Sequence, residues 1–298
     1  MADERKKGRP APRVGRNDGT GARGDASQQR GERGRADRGA RTDPQRRSPR
    51  RTEQPRSQQA SDRRPERTRR SGPPDPPTDP DVTGRELDDD VRAELSTLSG
   101  GASGAVARHL VMAGRLLDDD PELAYQHALA ARRRAARVGV VREAAGIAAY
   151  HAGRYAEALA ELRAARRISG SADYLPMMAD SERGLGRPRR ALDLAADPAV
   201  AGLDEAGRAE MLIVAAGARR DLGQLEAAAV ALQVPELRSQ SGQPWVARLR
   251  YAYADALVAL DRYEEARQWF VRAAESDEER QTDALERIDE LDIRTGGT

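Results

Sequence analysis

Apolar positions recur every three to four residues over residues 86–298 and follow no period over residues 1–85. Leu87, Val91, Leu95 and Leu98 fall at i, i+4, i+8 and i+11, which puts them on one face of a helix. "GGASG" (Gly100–Gly104) ends that helix, and from Ala105 onward the helical period continues almost without pause. No stretch alternates as a strand does, so the pattern predicts an all-α domain over residues 86–298. In residues 1–85 the only apolar residues besides alanine are Met1, Val14 and Val82, and there is no aromatic residue. Such a segment cannot offset a backbone ordering cost of about 1–2 kcal/mol per residue, which predicts a disordered tail. "SGPPDPPTDPD" (Ser71–Asp81) closes it as a stiff, extended spacer.

A single pattern repeats through the helical region. "HAGRYAEALAELRAARR" (His151–Arg167) has a Gly, then Arg-Tyr, then small and apolar residues at helical spacing. Aligned on Ala158, further copies centre on Ala124, Ala191, Ala228 and Ala266, with spacings of 34, 33, 37 and 38 residues. Five positions before each stands a turn residue: Asp119, Gly153, Gly186, Gly223 or Asp261. Four positions after stand Ala128, Leu162, Ala195, Leu232 and Phe270. One helix turn or more before the turn residue come Met112, Gly146, Ala179, Ala216 and Ala254. Two antiparallel helices approach closely only where side chains at the crossing are small, and Gly at the turn takes a positive φ without steric penalty.

This repeat resembles the tetratricopeptide repeat, a helix–turn–helix unit of 34 residues. Arg142–Arg167 is the nearest copy, with Ala145-Gly146 and Ala149 where the family has Leu-Gly and Tyr, followed by Gly153, Tyr155, Ala158, Leu162 and Ala165. Arg250–Ala274 follows, with Tyr263, Ala266, Phe270 and Ala273. The family's first-helix Trp is absent from every copy. More narrowly, the layout is similar to tetratricopeptide proteins of high-GC bacteria with an Arg-rich tail, and 49 Arg against two Lys agrees with such codon usage. That narrower resemblance implies no defined activity.

The resemblance covers residues 105–275 and implies an α-solenoid of about five helix pairs, each burying its second face against the next. Tyr155 and Tyr263, just past their turns, are expected to fill the wedge between a pair and its neighbour. Glu86–Leu98 and the helix carrying Ala284, Leu285, Ile288 and Leu291 on one face are expected as terminal caps. Pro198 and Pro235 fall inside the expected second helices of the third and fourth copies, where proline removes a hydrogen bond and clashes with the preceding turn at a cost of roughly 3 kcal/mol. Those helices are expected to end early, with loops taking up the longer spacing.

Charge separates the same two regions. Residues 1–85 hold 23 Lys and Arg against 13 Asp and Glu, an excess of ten positive charges; residues 86–298 hold 28 against 36, an excess of eight negative charges. The absence of Cys excludes disulfides, thiolate metal sites and cysteine nucleophiles, and fits a reducing cytoplasm. The amino terminus has no apolar core of a secretory signal, and no apolar run approaches the ~18–20 residues that cross a bilayer. The sequence reads as soluble and cytoplasmic.

No motif points to catalysis, a metal or a cofactor. "RGLGRPRR" (Arg183–Arg190) is Gly-rich but lacks a phosphate-loop Lys and reads as an interhelix turn. "DDDPE" (Asp118–Glu122) reads as a loop and N-cap with Pro121 in the first helical turn. His109, His127 and His151 are scattered and support no Ser–His–Asp order. "ARRRAARVGVVR" (Ala131–Arg142) is a basic run on a helix: a solvated face, or a contact for an acidic partner or for the body's own acidic surface.

A non-enzymatic scaffold that binds a partner peptide or helix is the leading expectation. Solenoid geometry carried over from the resemblance places Glu143, Ile147, Tyr150, His151, Asp180, Arg183, Arg220, Tyr251 and Asp255 on the groove wall. Their mixed signs select no single ligand type, and the Lys/Asn/Arg carboxylate clamp of some family members is not evident. The alternative is association with RNA or a ribonucleoprotein through the Arg-rich tail, whose excess positive charge attracts phosphates. The tail offers no aromatic residue for base stacking, and its acidic residues blunt the field.

Overall fold

Four interhelix turns in this protein are built alike. A computed structural model describes residues 74–98 and 101–296. In it Gly153, Gly186, Gly223 and Asp261 have φ of 68°, 70°, 73° and 57°. The next residue in each turn donates its N–H to the carbonyl five residues back: Arg154 to Ala149 at 2.8 Å, Arg187 to Glu182 at 2.9 Å, Gln224 to Arg219 at 2.9 Å and Arg262 to Leu257 at 3.0 Å. This is the Schellman closure, which satisfies carbonyls a helix end otherwise leaves open. Asp tolerates the left-handed region better than most side chains, so Asp261 replaces Gly in the last of the four. Asp119, the register-equivalent of these residues, has no positive φ. There the chain enters its helix through Asp120, which accepts a bond from Leu123 N–H at 3.0 Å with Pro121 at the first helical position.

The described residues form twelve α-helices and no strand. They are α1 (Asp89–Ser96), α2 (Ala102–Arg115), α3 (Pro121–Ala135), α4 (Gly139–His151), α5 (Tyr155–Ser169) and α6 (Leu175–Gly184). There follow α7 (Pro188–Ala195), α8 (Glu205–Asp221), α9 (Leu225–Ala231), α10 (Pro244–Val258), α11 (Tyr263–Ser276) and α12 (Ala284–Gly296). Each helix packs on its successor in the chain, and α2 also touches α4, α6 touches α8, and α8 touches α10. No helix among the described residues is long and apolar enough to cross a membrane.

Small side chains make these approaches close. Ala124, Ala158, Ala191, Ala228 and Ala266 are all fully buried, and so are Ala179 and Ala254, with Ala216 nearly so. At Gly146 a Cβ would stand 2.5 Å from Leu162 Cδ2, so only glycine lets α4 and α5 meet there. Tyr155 lays its ring on the bare backbone of Gly184 in α6, where a Cβ would come within 2.4 Å of the ring. Tyr263 stacks under the Arg294 guanidinium of α12, 4.4 Å from its ring centroid. Both tyrosines thus bridge to the following helical element.

Pro198 and Pro235 each start a short 3-10 turn, Pro198–Gly202 and Pro235–Arg238, and the helices before them are correspondingly brief. Ala195, expected as a packing position, is the last residue of α7 and only half-buried. Of the terminal apolar face expected in α12, Ala284 and Leu291 are buried and Ile288 is half-buried, but Leu285 is 59% exposed. The first helix is shorter than Glu86–Leu98. It starts at Asp89 because Glu86 is occupied in closing a turn, accepting from Thr83 N–H at 3.0 Å and Thr83 hydroxyl at 3.1 Å.

The segment read as a stiff, extended spacer is, over its described residues, laid on α2 and α3. Asp75 is ion-paired with Arg133 and Arg134, and Asp81 accepts from Arg115 at 2.8 Å. Val82 is buried, and Gly84 (φ 87°) packs its Cα so tightly that a Cβ would be 2.7 Å from Ala107 Cβ. Described residues ahead of residue 86 are thus packed on the helices that follow. Residues 1–73, which carry most of the expected disordered tail and the candidate nucleic-acid contacts, lie outside the described residues.

Candidate interaction face

The nine residues expected on a groove wall all belong to α4, α6, α8 and α10. Most are drawn together by polar bonds between helices two apart in the chain. Tyr150 of α4 donates its hydroxyl to Asp180 of α6 at 2.5 Å. Arg183, one turn further along α6, donates to Asp180 and to Asp221 of α8, each at 2.8 Å. Arg220 of α8 is ion-paired with Asp255 of α10, which Arg287 of α12 also reaches at 3.4 Å. Glu143 of α4 accepts from the Tyr174 hydroxyl, just before α6, at 3.3 Å. Glu210 of α8 accepts from Arg248 of α10 at 2.7 Å. The cross-helix partners lie 30 to 38 residues apart in sequence, about one repeat.

Backbone supports this polar ladder. Gly217 of α8 leaves a flat spot where a Cβ would stand 2.6 Å from Arg183 Cζ, so the guanidinium lies against the helix itself. Beside it Tyr155, Asp180, Arg183, Gly184 and Asp221 line a cleft of about 470 Å³. A second cleft opens between α8, α10 and the loop before α12, lined by Ile213, Arg248, Tyr251, Ala252 and Asp283.

Burial sets the ionisation on this face. It pushes the Tyr150 and Tyr251 hydroxyls well up, helped by Asp180 and Asp283 respectively, and pushes Tyr174 up together with Glu143. These phenols therefore stay neutral donors. Burial also raises the carboxyls of Glu143 and Glu210, and Arg248 only partly opposes it at Glu210. For Arg183 burial works against the charge, but the bonds to Asp221 and Asp180 outweigh it and keep the guanidinium protonated. The strongest charges on this face satisfy one another, which fixes how the helices sit side by side. Between these pairs lie the two clefts and the half-buried rings of Tyr150 and Tyr251.

Ile147 is half-buried on the same helix face and brings no polar group. His151 stands apart from the ladder: its Nδ1 is 4.0 Å from Asp118 in the α2–α3 loop, and its ring meets Tyr150 edge-on. Sequence reasoning missed Tyr174, Glu210, Asp221, Arg248, Asp283 and Arg287. A signal existed, since Glu210 and Arg248 have the same 38-residue offset as Arg183 and Asp221.

Four arginines of the basic run Ala131–Arg142 are paired with acids of the same chain. Arg132 and Arg142 both hold the buried carboxylate of Glu161, Arg142 at 2.6 Å, while Arg133 and Arg134 take Asp75. Arg183–Arg190 is the α6–α7 turn. Among the described residues no cluster of three or more His, Asp or Glu has the spacing to hold a metal ion. The chain matches no protein-family model and no curated protein.

Proposed function

We propose that this protein is a non-enzymatic scaffold of the tetratricopeptide kind, with α4, α6, α8 and α10 as the groove wall of a solenoid that holds a partner's peptide or helix. The observation that carries this reading is the polar ladder. Bonds at one-repeat offsets tie successive first helices together, so their exposed sides make one extended surface. Contacts between α6 and α8 and between α8 and α10 support the same stacking. An extended surface with tyrosines and mixed, internally neutralised charge suits a peptide backbone read through hydrogen bonds and apolar anchors, with Tyr251 and the cleft beside it as the anchor site.

Affinity capture from native lysate tests this, with the full chain, a chain lacking residues 1–73, and Tyr251→Ala as baits. The expected result is one defined set of partners on the first two baits and its loss on the third. Recovery of every partner by the full chain and of none by the chain lacking residues 1–73 would overturn the reading and favour the alternative. That alternative is phosphate contact by the tail, and the charge separation along the sequence supports it. Labelled RNA bound equally by full-length and tail-deleted protein at two salt concentrations would remove it.

A further inference from the structure

The cleft beside Tyr251 has a volume of about 540 Å³, within the ~300–1,000 Å³ of ligand pockets. Its floor is apolar: Ile213 of α8, with Tyr251 and Ala252 of α10, all half-buried. Phe270 meets the Tyr251 ring edge-on, with centroids 5.2 Å apart, and fixes its position. Asp283 stands exposed on the rim, and the Tyr251 hydroxyl faces its carboxylate. The loop that carries Asp283 is itself tied down. Asp277 accepts from the Gln281 N–H at 2.8 Å and from the Thr282 N–H and hydroxyl, each at 2.7 Å. The cleft is therefore an ordered apolar floor that ends in a carboxylate.

That carboxylate lacks the cation its counterparts have. Tyr150 donates to Asp180, which also holds the Arg183 guanidinium at 2.8 Å. Tyr263 donates to Asp261, and the Arg294 guanidinium lies over the Tyr263 ring, 4.4 Å from its centroid. Around Tyr251 and Asp283 the neighbouring arginines are paired elsewhere: Arg287 with Asp255 and Glu290, Arg248 with Glu210. Among the described residues none forms an ion pair with Asp283, and none lays a guanidinium on the Tyr251 ring. With Arg248 neutralised by Glu210, the cleft keeps one unbalanced negative charge, at the end of its apolar floor.

We propose that this cleft receives an arginine side chain of the partner segment, its stem on Ile213 and Ala252 and its guanidinium against the Tyr251 ring and Asp283. The inference rests on the scaffold reading and gives the anchor beside Tyr251 its chemistry. Arginine suits the cleft better than lysine for a physical reason. Its planar fork is weakly hydrated, stacks on an aromatic ring and meets a carboxylate with two N–H groups, whereas an ammonium is a compact, strongly hydrated charge. Its methylene stem covers apolar surface while the charged head stays at the wet rim. Arg294 on Tyr263, beside Asp261, is the same arrangement made within the chain.

Titration of the full chain with the blocked tripeptide Ala-Arg-Ala, followed by amide and tyrosine-ring NMR signals, tests the site. The same peptide with lysine or uncharged citrulline in the middle gives the comparison. Shifts are expected at Tyr251, Ala252 and Thr282, with arginine bound about three- to fivefold more tightly than citrulline and lysine in between. Asp283→Asn keeps a good helix-entry residue ahead of α12 and is expected to erase that margin. Equal affinity for arginine and citrulline, an undiminished margin in Asp283→Asn, shifts that avoid the cleft, or no saturable shift at the solubility limit of the peptide would each overturn the proposal. If Asp283→Asn disturbs α12, read from its own amides, salt decides in wild type. A margin that shrinks with added salt supports a charge contact at the rim, and one that salt leaves unmoved sinks it. Failure here with partner capture still dependent on Tyr251 leaves the scaffold standing with another anchor. Arginine binding in the cleft with no partner captured overturns the scaffold and keeps the site.

Discussion

The helical hairpins α4–α5 and α10–α11 differ from α6–α7 and α8–α9 in the length of the second helix. The second helices α5 and α11 run 15 and 14 residues, whereas α7 and α9 stop after 8 and 7. Proline explains the stop, but the core does not thin out there. Leu203, at the end of the first 3-10 turn, and Leu237, within the second, are buried and supply apolar contact that a longer helix would otherwise bring. Bonds between first helices reach both kinds of hairpin: Tyr150 joins α4 to α6, Arg183 joins α6 to α8, and Arg220 joins α8 to α10. Full-length second helices supply apolar contact along their own length; shortened ones are completed by a buried leucine from the turn that follows.

The comparison would break most clearly at the cores. Phe270→Ala in α11 empties a fully buried site and is expected to cost about 3–5 kcal/mol in denaturant unfolding. Leu237→Ala is expected near the low end of the aliphatic range, about 2 kcal/mol, because a four-residue turn settles into the space more readily than a helix. Equal losses would mean that the two kinds of hairpin are held alike. Gly186→Ala forces a side chain into the left-handed region and is expected to cost about 1–2 kcal/mol. Asp261→Gly at the matching turn should be within about 0.5 kcal/mol of neutral, since glycine takes that φ freely.

A smaller effect sharpens the role of polar bonds in the short hairpins. Asp197 accepts from Arg166 of α5 at 3.0 Å and from the Ala199 N–H at 2.9 Å, so it caps the turn at Pro198 while tying it to the previous hairpin. The Arg166 bond and then the Ala199 bond hold its carboxyl below the ordinary value of 3.8. Its contribution is thus present above that value and lost as the pH falls below it. Asp197→Ala is expected to cost about 1 kcal/mol near neutral pH and less near pH 2, read from chemical unfolding at both. Gly217→Ala pushes the Arg183 guanidinium off α8 and is expected to cost about 0.5–1 kcal/mol. An unchanged midpoint would show that the ladder positions the helices without stabilising them.

Local features of this chain were written in its residue order. The alanine register, the turns at Gly153, Gly186, Gly223 and Asp261, and the early ends before Pro198 and Pro235 all follow from spacing, φ preference and a missing N–H. Such effects act within one helix or turn, so neighbours in sequence suffice to reveal them. Packing alone chose the partners: Tyr150 with Asp180, Asp75 with Arg133 and Arg134, His109 with His127. A hydrophobic period says which face of a helix is buried, but not which charge on the other face meets one a repeat away. That depends on how far each helix is shifted and rotated against the next. The same reason left Leu285 exposed on a helix whose pattern had turned it inward.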